Sequence, residues 1–299
     1  MRAWDVEFGD LEAKGDTVTE DEKAYFTANR DIAKKTLSGN AAYAGGTPRS
    51  ALCAVVNLPA VRAVLFLLPS APSKGHGEYQ NRYTYAATVG KALPTNGVRE
   101  KIDAALADIV VENGLTKTNG HYAAMDLNGT GVRYFGDVCL VLKDCTVAAD
   151  TLILERNGFE VRVPPVAAGD DTLEAELTKW AGKWAKHAVS MAAMRVIDGR
   201  PLGRRLMTTG TVSDRLIEDE DYLEVIMHAG FEPKDVAEVR VTAEDAGAEA
   251  LIGDRARVGL APTGAEALWR YRRRLATRLA RGSGRNMLVR VVTTTGRAR

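Results

Sequence analysis

Cysteine is scarce in this chain: Cys53, Cys139 and Cys145 are the only three among 299 residues, and no two form a CxxC pair. An odd, unpatterned set argues against a disulfide framework. With no signal-peptide pattern at the N-terminus, it points to a reduced, cytoplasmic setting. Long hydrophobic runs are missing too. The longest, residues 60–68, contains Arg62 and is far too short to cross a bilayer, so no membrane partner is expected. Familiar catalytic signatures are also lacking: there is no GxxxxGK[ST], HExxH or GxSxG. Gly129, Gly131 and Gly136 do not match GxGxxG and no strand leads directly into them, which argues against a P-loop or Rossmann turn. His76, His121, His187 and His228 show no ligand spacing with one another or with the cysteines, so no metal is expected. No internal repeat or low-complexity tract is found.

What is present is the composition of a globular protein, 45% hydrophobic and 26% charged, long enough for one large domain or two modest ones. The net charge of +1 conceals a polarity along the chain. The head is acidic, with Asp5, Glu7, Asp10, Glu12, Asp16, Glu20, Asp21 and Glu22 against Arg2, Lys14 and Lys23. The tail carries Arg270, Arg272, Arg273, Arg274, Arg278, Arg281, Arg285, Arg290, Arg297 and Arg299, with Glu266 nearby to oppose them. Such polarity suits a polyanion partner, or a homo-oligomer whose copies pair head to tail.

The pattern of apolar residues predicts a helix over 19–38 and two apolar runs, 52–58 and 61–68, divided by Pro59. The two runs read as two buried strands, or as a strand and a short helix. A loop over 69–79 follows, then a helix over 98–113 and strands at 138–142, 151–154 and 160–163. Pro164-Pro165, with residues 167–171 behind it, reads as a linker. Beyond it come one long helix over 172–197 with Leu173, Leu177, Trp180, Trp184 and Ala188 as its buried stripe, a helical 219–228 and a strand at 237–242. A basic helix over 264–281 and a closing strand at 287–294 complete the chain. The fold class is α+β: a central mixed or antiparallel sheet with flanking helices over 1–165, followed by a smaller, mainly helical region over 172–299.

Two clusters could carry chemistry. Residues 119–143 bring His121, Tyr122, Asp126, Arg133, Tyr134 and Asp137 together among glycine-rich turns ahead of a buried strand, which is how many sites are assembled. The same stretch reads as an elaborate hairpin, with Asn128-Gly129 as its tight turn. Residues 76–85 hold His76, Arg82, Tyr83 and Tyr85. There Arg82 would clamp a phosphate or carboxylate while Tyr85 stacks on a flat ring, or the segment is a loop entering an edge strand. An enzyme built from both predicts a cleft where they converge.

Residues 134–143 (YFGDVCLVLK), with Thr151 and residues 155–157 behind them, resemble the central strands of ADP-ribosyltransferase-like toxin domains over about a tenth of the chain. The resemblance implies an enzyme acting on NAD or a nucleotide-like ligand. His121 or Arg82 would hold the dinucleotide. Tyr122, Tyr134 or Tyr85 would stack on the nicotinamide, and Glu155 would stabilise the ribosyl cation as nicotinamide leaves.

The basic helix offers a different function. Leu268, Tyr271, Leu275 and Leu279 read as its apolar stripe, with Arg270, Arg273, Arg274 and Arg281 projecting from the other side. Arginine in this density suits phosphate, and hence nucleic acid, although a solvated face, or one satisfied by the acidic residues of 218–224, reads as well.

Overall fold

Pro59 divides the first apolar stretch into the two elements about which the fold is organised. Upstream, β1 (Cys53–Leu58, CAVVNL) is buried at every position. Proline offers no N–H to extend a ladder, and α1 (Ala60–Leu67) starts at once, its first N–H donating to Asp137 Oδ1 at 2.9 Å. Of the two readings of this stretch, a strand and a short helix is the one formed. The computed structural model describes residues 52–69, 76–93, 97–109, 115–116, 118–148, 150–158, 170–197, 216–218, 221–282 and 287–292. The expected helix over 19–38, the strand at 160–163 and the proline pair lie outside them.

β1 pairs antiparallel with β2 (His121–Asp126) on one side and with β3 (Val138–Leu142) on the other. Three further strands are β4 (Leu152–Leu154), β5 (Ala181–Lys183) and the short β6 (Ile217–Glu218). Then come β7 (Asp221–Tyr222), β8 (Glu224–Met227), β9 (Val236–Thr242) and β10 (Leu288–Val292). Eight strands form one sheet in the order β10-β9-β3-β1-β2-β8-β4-β5, antiparallel except for β9 with β10; β6 and β7 form a separate pair. This is an α+β fold with a mixed central sheet and flanking helices. Strands from both sides of the 165–172 stretch interleave in it, since β8 pairs with β2 and β9 with β3.

Four local expectations are corrected. The link between β2 and β3 is no hairpin, because both strands pair with β1; it crosses the end of β1 so closely that a Cβ on Gly136 would stand 2.0 Å from the Leu58 carbonyl carbon. Residues 82–88 form α2 (Arg82–Thr88), not a strand, because the Asn81 side chain caps the Tyr83 and Thr84 N–H groups at 3.0 and 2.9 Å. The single helix expected over 172–197 is two, α4 (Asp170–Trp180) and α5 (Trp184–Ile197). Ala181-Gly182-Lys183 between them adds to the edge of β4 at a glycine, a poor helix former, so Trp180 and Trp184 flank a strand. Residues 221–227 are strands, not helix, since β8 lies between β2 and β4 and hydrogen-bonds to both.

The expected helix at 98–113 is α3 (Val98–Ile109) in its described part. After β9 the chain forms α6 (Ala243–Arg257) and α7 (Gly264–Arg281), the latter opened by a Thr263/Glu266 capping box. One apolar cluster gathers α1, α5 and α7. A second packs α3 and α4 on Leu152, Leu154 and Ile226.

Candidate functional site

Alternation along β2 sends Tyr122 and Ala124 to one face of the sheet and His121 and Ala123 to the other. Ala124 is the cross-strand partner of both Val55 and Glu224, so these three side chains share a row on the first face. That row is mostly small, while α3 and α4 pack further along the face on Leu152, Leu154 and Ile226. A cavity of about 400 Å³ is left over β1, β2 and β8. Arg62 of α1, Arg82 and Tyr83 of α2, and Arg99 of α3 wall it, with Tyr79, Phe135 and Tyr222 adding rings. The two polar segments of the sequence meet here: Tyr79 to Tyr83 come from one, and Gly120, Tyr122, Val132 and Phe135 from the other.

Its polar wall is a connected network. Asp103, 2% exposed, accepts from the Tyr83 hydroxyl at 2.6 Å, from the Tyr122 hydroxyl, and from Arg99 Nε at 2.8 Å. Burial first, and Asp103 after it, push the Tyr83 hydroxyl above its usual range. Burial does the same to Tyr122, so both phenols keep their protons and donate. The Arg99 guanidinium lies 3.6 Å from the centre of the Tyr122 ring and 3.9 Å from Glu224 Oε1. Glu224 is 2% exposed and its Oε2 accepts the Gly158 N–H at 2.9 Å. Burial raises its carboxyl above the ordinary 4.5, with Arg99 and the Gly158 N–H acting against the rise.

Arg82 binds Glu100 at 2.5 Å across the mouth, tying α2 to α3. Arg62 donates to the Gln80 carbonyl at 2.9 Å, lies 4.7 Å from the Tyr85 ring centre, and has no carboxylate partner among the described residues. The cavity therefore offers guanidinium donors for an acidic group, aromatic faces for a flat one, and a buried carboxyl able to hold or yield a proton.

Of the residues expected from sequence, Arg82 and Tyr122 line the cavity. Tyr85 lines a smaller adjoining groove instead. His121 faces the opposite side of the sheet near Tyr79, with burial lowering its pKa. Tyr134 is exposed, edge-on to Phe135. Arg133 is paired with Glu244 and Asp245 of α6. Asp137 is a latch, accepting from Ala60 N–H and from Arg273. Glu155 is half-buried beyond the end of β4 and lies outside the cavity; Glu224, on the neighbouring strand, is the carboxylate there.

Sequence reasoning passes over Glu224, Arg62, Arg99 and Asp103, although each left a trace. Glu224 and Arg62 are lone charges inside apolar runs, and Arg99 and Asp103 stand four apart on α3 beside its apolar stripe.

On the basic helix the expected stripe is rotated. Arg273, Ala276 and Ala280 are the buried positions, while Leu268 and Tyr271 are 46% and 63% exposed. α7 packs against α1, where alanines permit close approach, and Arg273 enters a ring of acceptors: Glu249 at 2.6 Å and the Asp137 carbonyl and carboxylate, each at 3.0 Å. Arg273 is thus structural and cannot meet an outside polyanion. Arg274 and Arg281 are exposed and Arg270 is half-buried. The acidic head on which self-assembly would rest lies outside the described residues.

No helix among the described residues is long and apolar enough to cross a membrane. No group of three or more His, Cys, Asp or Glu among them could hold a metal ion. Comparison of the chain with protein-family models, curated proteins and solved structures finds no match.

Proposed function

We propose that the cavity binds and processes a nucleotide-like ligand, with NAD as the first candidate, in line with the resemblance to ADP-ribosyltransferase-like domains. One observation carries this reading: Arg62, Arg82, tyrosine rings and the buried Glu224 meet in a single cavity of ligand size. Arg62 and Arg82 hold the phosphates, a ring stacks on an aromatic wall, and Glu224 takes the role that the resemblance assigns to Glu155. A carboxylate placed beside a developing cation stabilises the transition state more than the ground state.

Calorimetric titration with NAD, ADP-ribose, AMP and nicotinamide, combined with chromatographic assay of nicotinamide release, tests the reading. Arg62→Ala and Arg82→Ala are expected to weaken binding about tenfold each, in keeping with charge-assisted hydrogen bonds. Glu224→Gln is expected to leave binding intact and lower release by about 100-fold or more. The reading fails if no ligand binds at millimolar concentration, or if Glu155→Gln abolishes release while Glu224→Gln does not.

A second reading, a nucleic-acid or other polyanion partner on the basic helix, is favoured by a specific observation. Arg270, Arg274 and Arg278 stand four residues apart on one face of α7 and line a common groove.

A further inference from the structure

The groove beside α7, about 300 Å³, runs between α7 and the end of α6. Ile252, Pro262, Ala267 and Leu275 give it an apolar lining, and Arg270, Arg274 and Arg278 its charge. Tyr271, 63% exposed, belongs to the same groove. Successive arginines are four residues apart, a rise of about 6 Å along the helix axis, and Arg281 continues the stripe.

The acids nearest to the stripe are already engaged. Glu249 binds Arg273 at 2.6 Å and is 4.0 Å from Arg274, while Glu266 binds Arg255 at 2.8 Å and caps the helix. Arg270 reaches the surface of α6: a Cβ on Gly253 would stand 2.4 Å from its Nη2, so the glycine leaves the space the guanidinium fills.

Resting on the polyanion reading, we infer that this groove seats a single nucleic-acid strand rather than a duplex. The arginines bind consecutive phosphates, for which a guanidinium fork is better suited than an ammonium. The apolar lining and the Tyr271 face take an unstacked base. A duplex presents phosphates but keeps its bases stacked inside, and would leave that apolar lining empty.

Fluorescence anisotropy with labelled oligothymidylate, oligouridylate and a DNA duplex of equal length, across a range of KCl concentration, tests the inference on the full chain. Single strands are expected to bind with a log–log salt slope of about −2, the value for three phosphate contacts. The combined Arg270→Gln, Arg274→Gln, Arg278→Gln variant should flatten that slope and weaken binding about 100-fold at low salt. Tyr271→Ser should weaken single-strand binding about tenfold and leave the slope unchanged. Gly253→Ala keeps every arginine but displaces Arg270, and should weaken binding with circular dichroism unaltered. Arg257→Gln, at an exposed residue paired with Asp254, should bind as the parent does.

Equal affinity for duplex, together with no effect of Tyr271→Ser, would overturn the single-strand inference and leave the polyanion reading standing. Absence of binding to any of the three at low salt would remove both. Parent-like binding by the triple variant would place the contact elsewhere on the molecule and overturn the inference.

Discussion

Glu224 and Glu238 stand in one cross-strand row on the same face of the sheet, Glu238–Val141–Val55–Ala124–Glu224, and each is 2% exposed or less, Glu238 beside the buried Arg240 and Glu224 beside the half-buried Arg99. Their surroundings differ. Around Glu238 the cluster is sealed: Arg240 binds it through Nε at 2.9 Å and donates to the carbonyls of Gly129 at 2.9 Å and Leu127 at 3.2 Å. Asp126, 3.8 Å from Arg240, holds the same loop by accepting the N–H groups of Leu127, Gly129 and Gly131. Around Glu224, Arg99 stands 3.9 Å away, its face covered by one tyrosine ring, and a cavity opens beside them. Buried charge alone does not make a site, since the sealed cluster has more of it. Unfilled space and incompletely neutralised groups distinguish the second cluster.

The largest expected effect falls on the sealed side. Arg240→Met strips Glu238 and Asp126 of their buried cation and should cost about 3–5 kcal/mol in urea denaturation. Arg99→Met leaves Asp103 with two tyrosine donors and should cost only about 1–3 kcal/mol. Equal losses would break the distinction.

The pH dependence of stability sharpens it. The Glu224 carboxyl is raised above its ordinary 4.5 chiefly by burial, so in the window above 4.5 the folded protein binds more protons at this site than the unfolded chain. This group's contribution is therefore greatest in acid and is lost as pH rises through the raised folded value. Glu224→Gln should remove that loss, making the variant the more stable protein at neutral pH and leaving no gain below 4.5. Denaturation midpoints of parent and variant across the acid-to-neutral range measure it. A variant that loses stability at neutral pH would show a carboxylate as well compensated as Glu238.

How far these features were legible follows from the range of the interactions that make them. The strand cores 53–58 and 138–142, the helix at 264–281 and the α+β class are written in local runs and periods. Asn81 is an equally local capping signal, masked because Tyr83 and Tyr85 after it alternate as on a strand. Strand β8 was not legible, because a four-residue segment takes its state from pairing with β2 and β4, far away in the chain. Arg82 and Tyr122 could be singled out from cluster composition, but Glu224 could not, since its burial depends on neighbours from three segments. The rotation of α7 was hidden for the same reason: an arginine on the buried face is unreadable until Asp137 and Glu249 are known to surround it.

The smallest effect concerns the mouth of the cavity. Arg82 and Glu100 join α2 to α3 there with side chains 34% and 19% exposed, so water screens the pair. A double-mutant cycle with Arg82→Gln and Glu100→Gln should give a coupling of roughly 0.2–1 kcal/mol. So small a coupling leaves Arg82 available to an acidic ligand, because exchanging Glu100 for a phosphate costs little. Glu100→Gln alone should then bind the ligand as well as the parent or better, having freed the guanidinium. A coupling of about 3 kcal/mol or more is the signature of a buried pair. It would make the mouth as closed as the Arg240 cluster and take Arg82 out of ligand binding.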